Sequence, residues 1–462
     1  MNDVVIIIFG ASGDLARRKL LPALYNLVNT HRLQRYAIVG TAYDDITAQE
    51  MVERCIPFLA SHNADQLEAF VHHCSYQRLD FGKRDDFVQL VAHVERIERE
   101  QKLSGNRMLY IAAAADYYCA ITQYSAQTGL AHKLNAQQPW HRLVYEKPFG
   151  HNLHSAHEIN ACIANDFDEM QIYRIDHYLT KELVGNIVLV RFTNILFEPL
   201  WNNHYIHSVQ IILNEDEGIG MRGTYYDAYG ALKDMVQNHM LEILSLICME
   251  APEKLVGEHV RAQRAKVLEK VRVTDALFGQ YEGYTQESHV KKDSTTETFV
   301  ALQCMIDNTR WSGVPFYLKT GKYLAKKESL IHIKFKQVDC LLTQNCPSDS
   351  NGLSIRMAPD PTFFLTLNAK KPGELHQVMP VHMAFESSYK LHQSDSHAYE
   401  VIFQEIMRGE HSIAVRFDEI ESAWKIIDSI GNRQHIYDYQ KGSSGPQEAE
   451  VFAQKHGIRW RA

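Results

Sequence analysis

Two kinds of hydrophobic pattern follow one another along the chain. In the first part, a continuous apolar run at residues 4–9 is followed by an amphipathic helical pattern at 15–28 and a second apolar run at 35–42. Further apolar runs lie at 107–114 and 142–148. Continuous apolar runs indicate strands buried on both faces, and their alternation with helices predicts a doubly wound parallel sheet.

The second part carries runs in which apolar and polar residues alternate, which is typical of antiparallel strands with one polar face. Such strands are predicted at 186–194, 207–215, 298–306, 329–337, 352–359 and 362–370, with one strong helix at about 231–250. The predicted fold class is α/β plus α+β: an N-terminal Rossmann-like doubly wound sheet, followed by a domain with a large, mainly antiparallel sheet. We expect a dinucleotide-binding domain over 1–175 and a substrate-binding and oligomerisation domain over 176–462.

Charge and composition narrow the range of partners. Of the 462 residues, 48 are Lys or Arg and 56 are Asp or Glu, a net charge of −8 that disfavours nucleic acid or an acidic membrane as a partner.

No apolar run near the start is long enough to span a bilayer, so we predict a cytoplasmic protein. The eight cysteines are scattered without a C-x-x-C pair, and the histidine clusters lie in polar helical surroundings, so no metal site or disulfide framework is predicted.

The stretch GASGDLARRK, residues 10–19, follows the first predicted strand and opens the first predicted helix. Gly10 would allow a tight turn and close approach of a phosphate, and Gly13 would place that phosphate at the helix N-terminus. The alternative is an ordinary strand-to-helix turn that needs glycine. Its place in an N-terminal βαβ unit favours a dinucleotide site, formed by Gly10, Ser12, Gly13, Asp14 and Leu15.

Three further motifs carry chemistry. EKPFG (146–150) ends the last apolar run of the first part, RIDHYLTKE (174–182) follows it, and QNHMLEIL (237–244) lies on the predicted helix. Together with GASGDLARRK, these motifs resemble the glucose-6-phosphate dehydrogenase family over nearly the whole chain. The resemblance implies oxidation of the C1 hydroxyl of glucose 6-phosphate to the lactone, with hydride transfer to a nicotinamide.

The resemblance also implies roles for individual residues. His239 matches the family's general base, a role that suits an imidazole, and Asp176 matches the carboxylate that orients it. The residues matched to substrate binding are Lys147, His177, Tyr178, Lys181, Glu215, Asp234, Lys322 and Lys327. Two alternatives stay open: His239 as a histidine at the edge of an apolar stripe, and Glu217 in place of Glu215 within the acidic run NEDEG.

The sequence departs from the family at the expected adenosine ribose, where arginine is common. Tyr43, Asp44 and Asp45 follow the second strand instead, and carboxylates repel a 2′-phosphate and accept hydrogen bonds from a free ribose. Asp44 and Asp45 could alternatively only cap the next helix. We expect NAD or NADP as cofactor, with NAD used at least as well as NADP.

Other departures replace a proline turn by Ala114 and Ala115, a glutamine by Ala358 and an arginine by Lys327. They keep two alternatives open: a dehydrogenase of a different sugar phosphate, and a paralogue that binds nucleotide or sugar phosphate without catalysis. Glucose 6-phosphate is the default substrate, and a homodimer or homotetramer is expected.

Overall fold

The computed structural model describes residues 3–134, 139–176, 178–179, 182–337, 351–360, 362–374, 377–385, 395–431 and 435–461. Its strands are β1 (Val4–Phe9), β2 (Tyr36–Ala42), β3 (Cys74–Arg78), β4 (Arg107–Ile111), β5 (His141–Tyr145), β6 (Ile172–Ile175), β7 (Ile206–Asn214), β8 (Val271–Tyr281), β9 (Phe299–Ile306), β10 (Phe316–Gly321), β11 (Glu328–Phe335), β12 (Gly352–Ala358), β13 (Thr362–Lys370), β14 (Val378–Phe385), β15 (Ala414–Val415) and β16 (Ile436–Tyr439).

The α-helices are α1 (Leu21–Asn29), α2 (Ala48–Glu53), α3 (Ala64–His72), α4 (Arg84–Gln101), α5 (Tyr118–Thr128), α6 (Leu153–Asp166), α7 (Glu182–Thr193), α8 (Gly223–Ala231), α9 (Leu241–Cys248), α10 (Gly257–Leu268), α11 (Asp395–Arg408), α12 (Phe417–Ser429) and α13 (Glu448–Lys455). Two π-helical segments, Ala16–Leu20 and Leu232–Met240, lead directly into α1 and α9. Within the described ranges, no helix is both long and apolar enough to cross a bilayer.

The chain divides into two compact units. Unit 1 comprises Met1–Thr180, Lys254–Arg261 and His392–Glu421, and unit 2 comprises Lys181–Glu253, Ala262–Leu391 and Ser422–Ala462. The expected boundary at 175/176 stays a prediction, and two later segments return to unit 1.

Unit 1 contains a sheet of order β15-β6-β5-β4-β1-β2-β3, in which β15 runs antiparallel to β6 and the other neighbours are parallel. Strand order 3-2-1-4-5-6 is that of the Rossmann fold, which confirms the predicted class. All six residues of β1 are buried, as a continuous apolar run predicts for a central parallel strand.

Helix α11 belongs to the core of unit 1 although it lies far along the chain. Its Ile402, Phe403 and Ile406 are fully buried in the same hydrophobic cluster as residues of β1, α1 and β4. Arg32, at the end of α1, forms an ion pair with Glu400 of α11. The core of unit 1 therefore includes residues that the chain supplies only after residue 392.

Unit 2 contains a sheet of order β14-β13-β12-β11-β7-β10-β9-β8-β16. The pairs β7–β10 and β8–β16 are parallel and the other neighbours are antiparallel, which confirms a large, mainly antiparallel sheet.

The prediction of a strand at 186–194 is wrong, because this segment lies in helix α7. Ile187 and Arg191 are each 1% exposed, whereas Leu189 between them is 49% exposed. Burial at positions four apart is the spacing of a helix, while a strand would have buried all three on one face. The only charged residue of this short apolar run, Arg191, lies on the buried side of the helix, so the period of the run was ambiguous.

Glu146 follows β5 in unit 1 and carries a carboxyl group in an unfavourable environment for charge. Burial raises its pKa to about 7, against hydrogen bonds from Tyr110 and Tyr399 and the charge of Lys147, which act in the opposite direction. The Tyr110 hydroxyl donates to Glu146 Oε1 at 2.6 Å. The folded protein therefore holds a proton on Glu146 at pH values at which the unfolded chain has lost it.

We predict that Glu146→Gln changes how stability depends on pH. Between about pH 4.3 and pH 7, unfolding of the wild type releases this proton, so the free energy of unfolding falls as pH rises through that window. Glu146→Gln lacks this titration and should gain up to about 3 kcal/mol relative to wild type between pH 5 and pH 8. Thermal unfolding at both pH values measures the difference. Glu95→Gln, on the surface of α4, is the matched control, and identical pH dependence in wild type and Glu146→Gln would contradict the prediction.

Candidate active site

Gly10 follows β1 at the point where the strand order of the unit 1 sheet reverses, between β1 and β4. Its φ is +89°, and a Cβ there would lie 2.6 Å from the carbonyl oxygen of Ala112, which follows β4. Only glycine fits this close approach. The Gly13 amide donates to the Gly10 carbonyl at 3.0 Å, which closes the turn at the start of the helix. Such a turn at a topological switch point suits a dinucleotide pyrophosphate.

The polar residues of this turn are themselves paired. The Ser12 hydroxyl donates to the carboxylate of Asp44, which places Asp44 beside the glycine turn. Asp14 forms an ion pair with Arg17 at 2.7 Å and a longer one with Arg18 at 3.6 Å. The charges of Arg17 and Arg18, which follow the glycine turn, are therefore partly neutralised by Asp14.

Arg78, an arginine that no sequence motif indicates, lies next to Tyr43. Arg78 ends β3, and its guanidinium carbon lies 5.1 Å from the centroid of the exposed Tyr43 ring. Arg78 Nε also donates to the Tyr43 carbonyl at 3.0 Å. Strand β3 was not predicted because its sequence, CSYQR, is largely polar. The end of β2 thus carries a carboxylate, Asp44, and a neighbouring cation, Arg78.

Lys147 and Asp176 follow neighbouring parallel strands at the same edge of the sheet. Tyr145 of β5 pairs with Arg174 of β6, so Lys147 and Asp176, each two residues further on, emerge at the same edge of the sheet. Asp176 is buried, and its Oδ1 accepts a hydrogen bond from the Tyr178 amide at 2.8 Å. The predicted phosphate ligands His177 and Lys181 lie outside the described residues.

Asp234 and His239 both lie in the π-helical segment Leu232–Met240 of unit 2, and both are buried. The Tyr225 hydroxyl donates to Asp234 Oδ1 at 3.3 Å. At the start of the segment, Glu297 Oε1 accepts a hydrogen bond from the Leu232 amide at 3.0 Å. The wider turn of a π-helix is common at functional sites, and two of the predicted site residues share one here. Neither Tyr225 nor Glu297 was singled out from the sequence.

Glu215 and Lys322 form an ion pair. Glu215 follows β7 and Lys322 follows β10, and these strands are parallel neighbours in which Gly321 pairs with Asn214. Glu217, the alternative to Glu215, is exposed. The pairing with Lys322 therefore favours Glu215.

The remaining predicted substrate residue, Lys327, differs from Glu215 and Lys322 in its surroundings. It is exposed between β10 and β11 and makes no ion pair with the part of the chain that the structure describes. Ala358 ends β12, beside Ser329 of β11. Across the described ranges, no group of three or more His, Cys, Asp or Glu side chains is arranged to hold a metal ion.

Comparison with known proteins covers the whole chain. Residues 7–186 match the family model "Glucose-6-phosphate dehydrogenase, NAD binding domain", and residues 188–461 match "Glucose-6-phosphate dehydrogenase, C-terminal domain". The glucose-6-phosphate 1-dehydrogenase of Bacillus subtilis is 36% identical over 481 residues, covering 99% of this chain and 98% of the relative. That of Aggregatibacter actinomycetemcomitans is also 36% identical, covering 100% and 97%.

Solved structures agree with this match. A glucose-6-phosphate dehydrogenase in complex with glucose 6-phosphate superposes with a TM-score of 0.91 at 31% identity, covering 100% of this chain and 99% of that one. The glucose-6-phosphate 1-dehydrogenase of Mycobacterium avium superposes with a TM-score of 0.87 at 32% identity, with the same coverage. A glycine turn at the switch point, charged residues at the ends of parallel strands and these full-length matches lead to one conclusion: the chain belongs to the glucose-6-phosphate dehydrogenase family.

Proposed function

We propose that the protein oxidises the C1 hydroxyl of glucose 6-phosphate to the lactone and transfers the hydride to NAD or NADP. The observation that carries this proposal is the full-length match to glucose-6-phosphate dehydrogenases. Production of reduced nicotinamide, followed by absorbance with a panel of sugar phosphates and both cofactors, tests it. Turnover of glucose 6-phosphate is expected, and no turnover with either cofactor would overturn the proposal.

His239 is the proposed general base for the C1 hydroxyl proton. A hydroxyl group loses its proton as hydride leaves the carbon, and an imidazole is suited to accept that proton near neutral pH. Asp176 is its proposed partner, stabilising the imidazolium that forms. When bound, the nicotinamide cofactor supplies the hydride acceptor.

Substrate binding divides between phosphate and sugar. His177, Tyr178 and Lys181 are proposed to bind the phosphate, since cations and hydroxyl donors make strong charge-assisted hydrogen bonds to it. Lys147, Asp234 and the Glu215–Lys322 pair are proposed to bind the sugar hydroxyls, with Lys327 as a further cation. Carboxylates accept hydrogen bonds from the sugar hydroxyls, and ammonium groups donate hydrogen bonds to them. This set can therefore satisfy each hydroxyl both as a donor and as an acceptor.

For the cofactor, Gly10, Ser12, Gly13, Asp14 and Leu15 are proposed to hold the pyrophosphate, with Tyr43, Asp44 and Lys147 along the rest of the dinucleotide. We propose that NAD is used at least as well as NADP. The hydrogen bond between Ser12 and Asp44 supports this, because it keeps a carboxylate beside the turn. Arg78, next to Tyr43, is the cation that would serve a 2′-phosphate if NADP is preferred.

A dehydrogenase of another sugar phosphate stays a second candidate, favoured by Ala358 where the family commonly has glutamine. The presence of Asp176, His239 and Lys181 together argues against a non-catalytic paralogue, because a site without catalysis would be free to lose so costly a set of polar residues. We further propose a cytoplasmic protein and a homodimer or homotetramer, which light scattering of the purified protein would measure.

We predict that His239→Asn lowers kcat by about 10²–10⁴-fold with little change in KM for glucose 6-phosphate, because a general base contributes to the transition state rather than to binding. Asp176→Asn should cost less and should shift the acidic limb of the pH–rate profile. Steady-state kinetics between pH 6 and pH 9 measure both effects. Near-wild-type turnover in His239→Asn would rule out its role as base.

Phosphate binding predicts a difference between two substrates. Lys181→Ala and His177→Ala should lower kcat/KM for glucose 6-phosphate by about 10- to 100-fold, since each loses a charge-assisted hydrogen bond. The slow oxidation of free glucose should stay nearly unchanged. Equal losses on both substrates would point to a folding defect or to another role.

We predict that the charges of Asp44 and Arg78 have opposite effects on the preference between NADP and NAD. Two unit charges about 4 Å apart interact by roughly 4 kcal/mol at an effective dielectric of 20, and exposure of Asp44 reduces this figure. Asp44→Ala should therefore raise kcat/KM for NADP relative to NAD by at least about tenfold, while Arg78→Ala should lower it. Asp65→Ala, which removes an exposed carboxylate of α3, is the matched control. A hundredfold preference of the wild type for NADP would show that Asp44 does not set the preference.

A further inference from the structure

Tyr226 of α8 packs its ring against the ammonium group of Lys322. Lys322 Nζ lies 5.4 Å from the centroid of the Tyr226 ring, within the distance of about 6 Å at which an aromatic face attracts a cation. The same ammonium forms the ion pair with Glu215. Lys322 is 2% exposed and Tyr226 is fully buried. The ammonium therefore contacts both a carboxylate and an aromatic ring, largely away from water.

The backbone of Lys322 is held firmly, so the freedom that remains is in its side chain. Its amide donates to the Thr298 carbonyl at 2.9 Å, and its carbonyl accepts from the Tyr439 hydroxyl at 2.7 Å. The Glu215 amide donates to the Gly321 carbonyl at 3.0 Å. These bonds place the Lys322 Cα beside Glu215. The four rotatable bonds of a lysine still leave the position of its ammonium open unless something fixes it.

The hydroxyl of Tyr226 does not explain why an aromatic residue lies here. It is buried and has no hydrogen-bond partner among the described residues. Burial, followed by the nearby charges of Asp234 and Glu215, raises the pKa of this phenol well above its ordinary value, so the group stays neutral. A buried hydroxyl without a partner destabilises a fold. The useful part of Tyr226 is therefore its ring.

We propose that the ring of Tyr226 is a positioning residue for substrate, which holds the Lys322 ammonium against Glu215 in the arrangement that binds the sugar hydroxyls. This inference rests on the proposed function, because Tyr226 acts only through the substrate role of Lys322 and Glu215. Without the ring, the ammonium is free to leave that arrangement, and substrate binding has to order it again. KM for glucose 6-phosphate rises, while KM for the cofactor does not.

The magnitude follows from the strength of a cation–π contact. Such contacts are worth about 0.5–1 kcal/mol at exposed sites and about 2 kcal/mol when desolvated, which corresponds to roughly 2- to 30-fold in an equilibrium constant. Because Lys322 is buried, the upper part of that range applies.

The experiment compares a ring, an altered ring and no ring at position 226. Tyr226→Phe keeps the ring and removes the unpartnered hydroxyl, pentafluorophenylalanine at 226 keeps the shape but reverses the ring quadrupole, and Tyr226→Met removes the ring at similar volume. Each is measured for kcat, for KM of glucose 6-phosphate and of cofactor, and for Tm. Tyr284→Leu is the matched control, since Tyr284 is buried beside Tyr226 at a ring distance of 6.3 Å. Tyr226→Met is also made in a Lys322→Met background.

We expect Tyr226→Phe to keep the wild-type KM with an equal or higher Tm. The fluorinated ring and Tyr226→Met should raise KM for glucose 6-phosphate about 10- to 30-fold, with little change in cofactor KM. In the Lys322→Met background, Tyr226→Met should add no further increase, because the ring acts through the ammonium. Tyr284→Leu should lower Tm without raising KM.

The inference fails if Tyr226→Met raises KM equally with and without Lys322, or if the fluorinated ring binds substrate as the Phe variant does. If Tyr226→Met does not fold, the comparison of Phe with its fluorinated form still decides the matter. Failure of the proposed function has a different signature, since the wild type itself would then show no turnover of glucose 6-phosphate with either cofactor.

Discussion

Parallel pairing of strands is the constraint that brings candidate site residues together within each unit. In a parallel pair, the residues that follow the two strands emerge at the same edge of the sheet. In unit 1 this rule places Gly10 beside Ala112, and it places Lys147 and Asp176 at the same edge of the sheet. In unit 2 most strands are antiparallel, yet the pair β7–β10 is parallel, and Glu215 and Lys322 follow these two strands. One of the two parallel pairs in this mainly antiparallel sheet thus lies where the two opposite charges form their ion pair.

The candidate site residues include local positive charges, although the net charge of the chain is negative. The chain carries a net charge of −8, which by itself would repel a sugar phosphate and a dinucleotide. Buried Lys322 forms an ion pair with Glu215 at the edge of the β7–β10 pair. The end of β2 carries Asp44, with Arg78 close by. Each described cation at these places has a nearby carboxylate or ring, so its position is fixed before a ligand arrives, and less ordering remains for binding to achieve.

Sequence patterns predicted the fold to the extent that burial is periodic along the chain. The fully buried β1 and the parallel sheet of unit 1 followed from continuous apolar runs, and alternation predicted five strands of unit 2, namely β7, β9, β11, β12 and β13. Helix α7 was mistaken for a strand because its apolar run was too short and too uniform to show its period. Strand β3 was missed because half-buried polar side chains carry no such signal.

The site was accessible to sequence reasoning only through motifs. His239, Asp176 and Lys322 came from the family resemblance, because no local pattern distinguishes a buried catalytic histidine from one in a core. Arg78, Tyr225 and Tyr226 act across strands or through space, on partners 9 to 96 positions away, and sequence spacing alone does not bring such partners together.

The discontinuity of unit 1 has a consequence for the order in which the protein is made. A ribosome has synthesised all the strands from β1 to β6 once it passes residue 180, but Ile402, Phe403 and Ile406 of α11, which pack into the same core, are still unsynthesised. Until they emerge, the apolar surface that they cover faces solvent, and a nascent chain in that state is open to aggregation and chaperone binding. The cofactor-binding fold can therefore be completed only when about nine-tenths of the chain has been synthesised. The first 180 residues are not a unit that can be cut out and expected to fold alone.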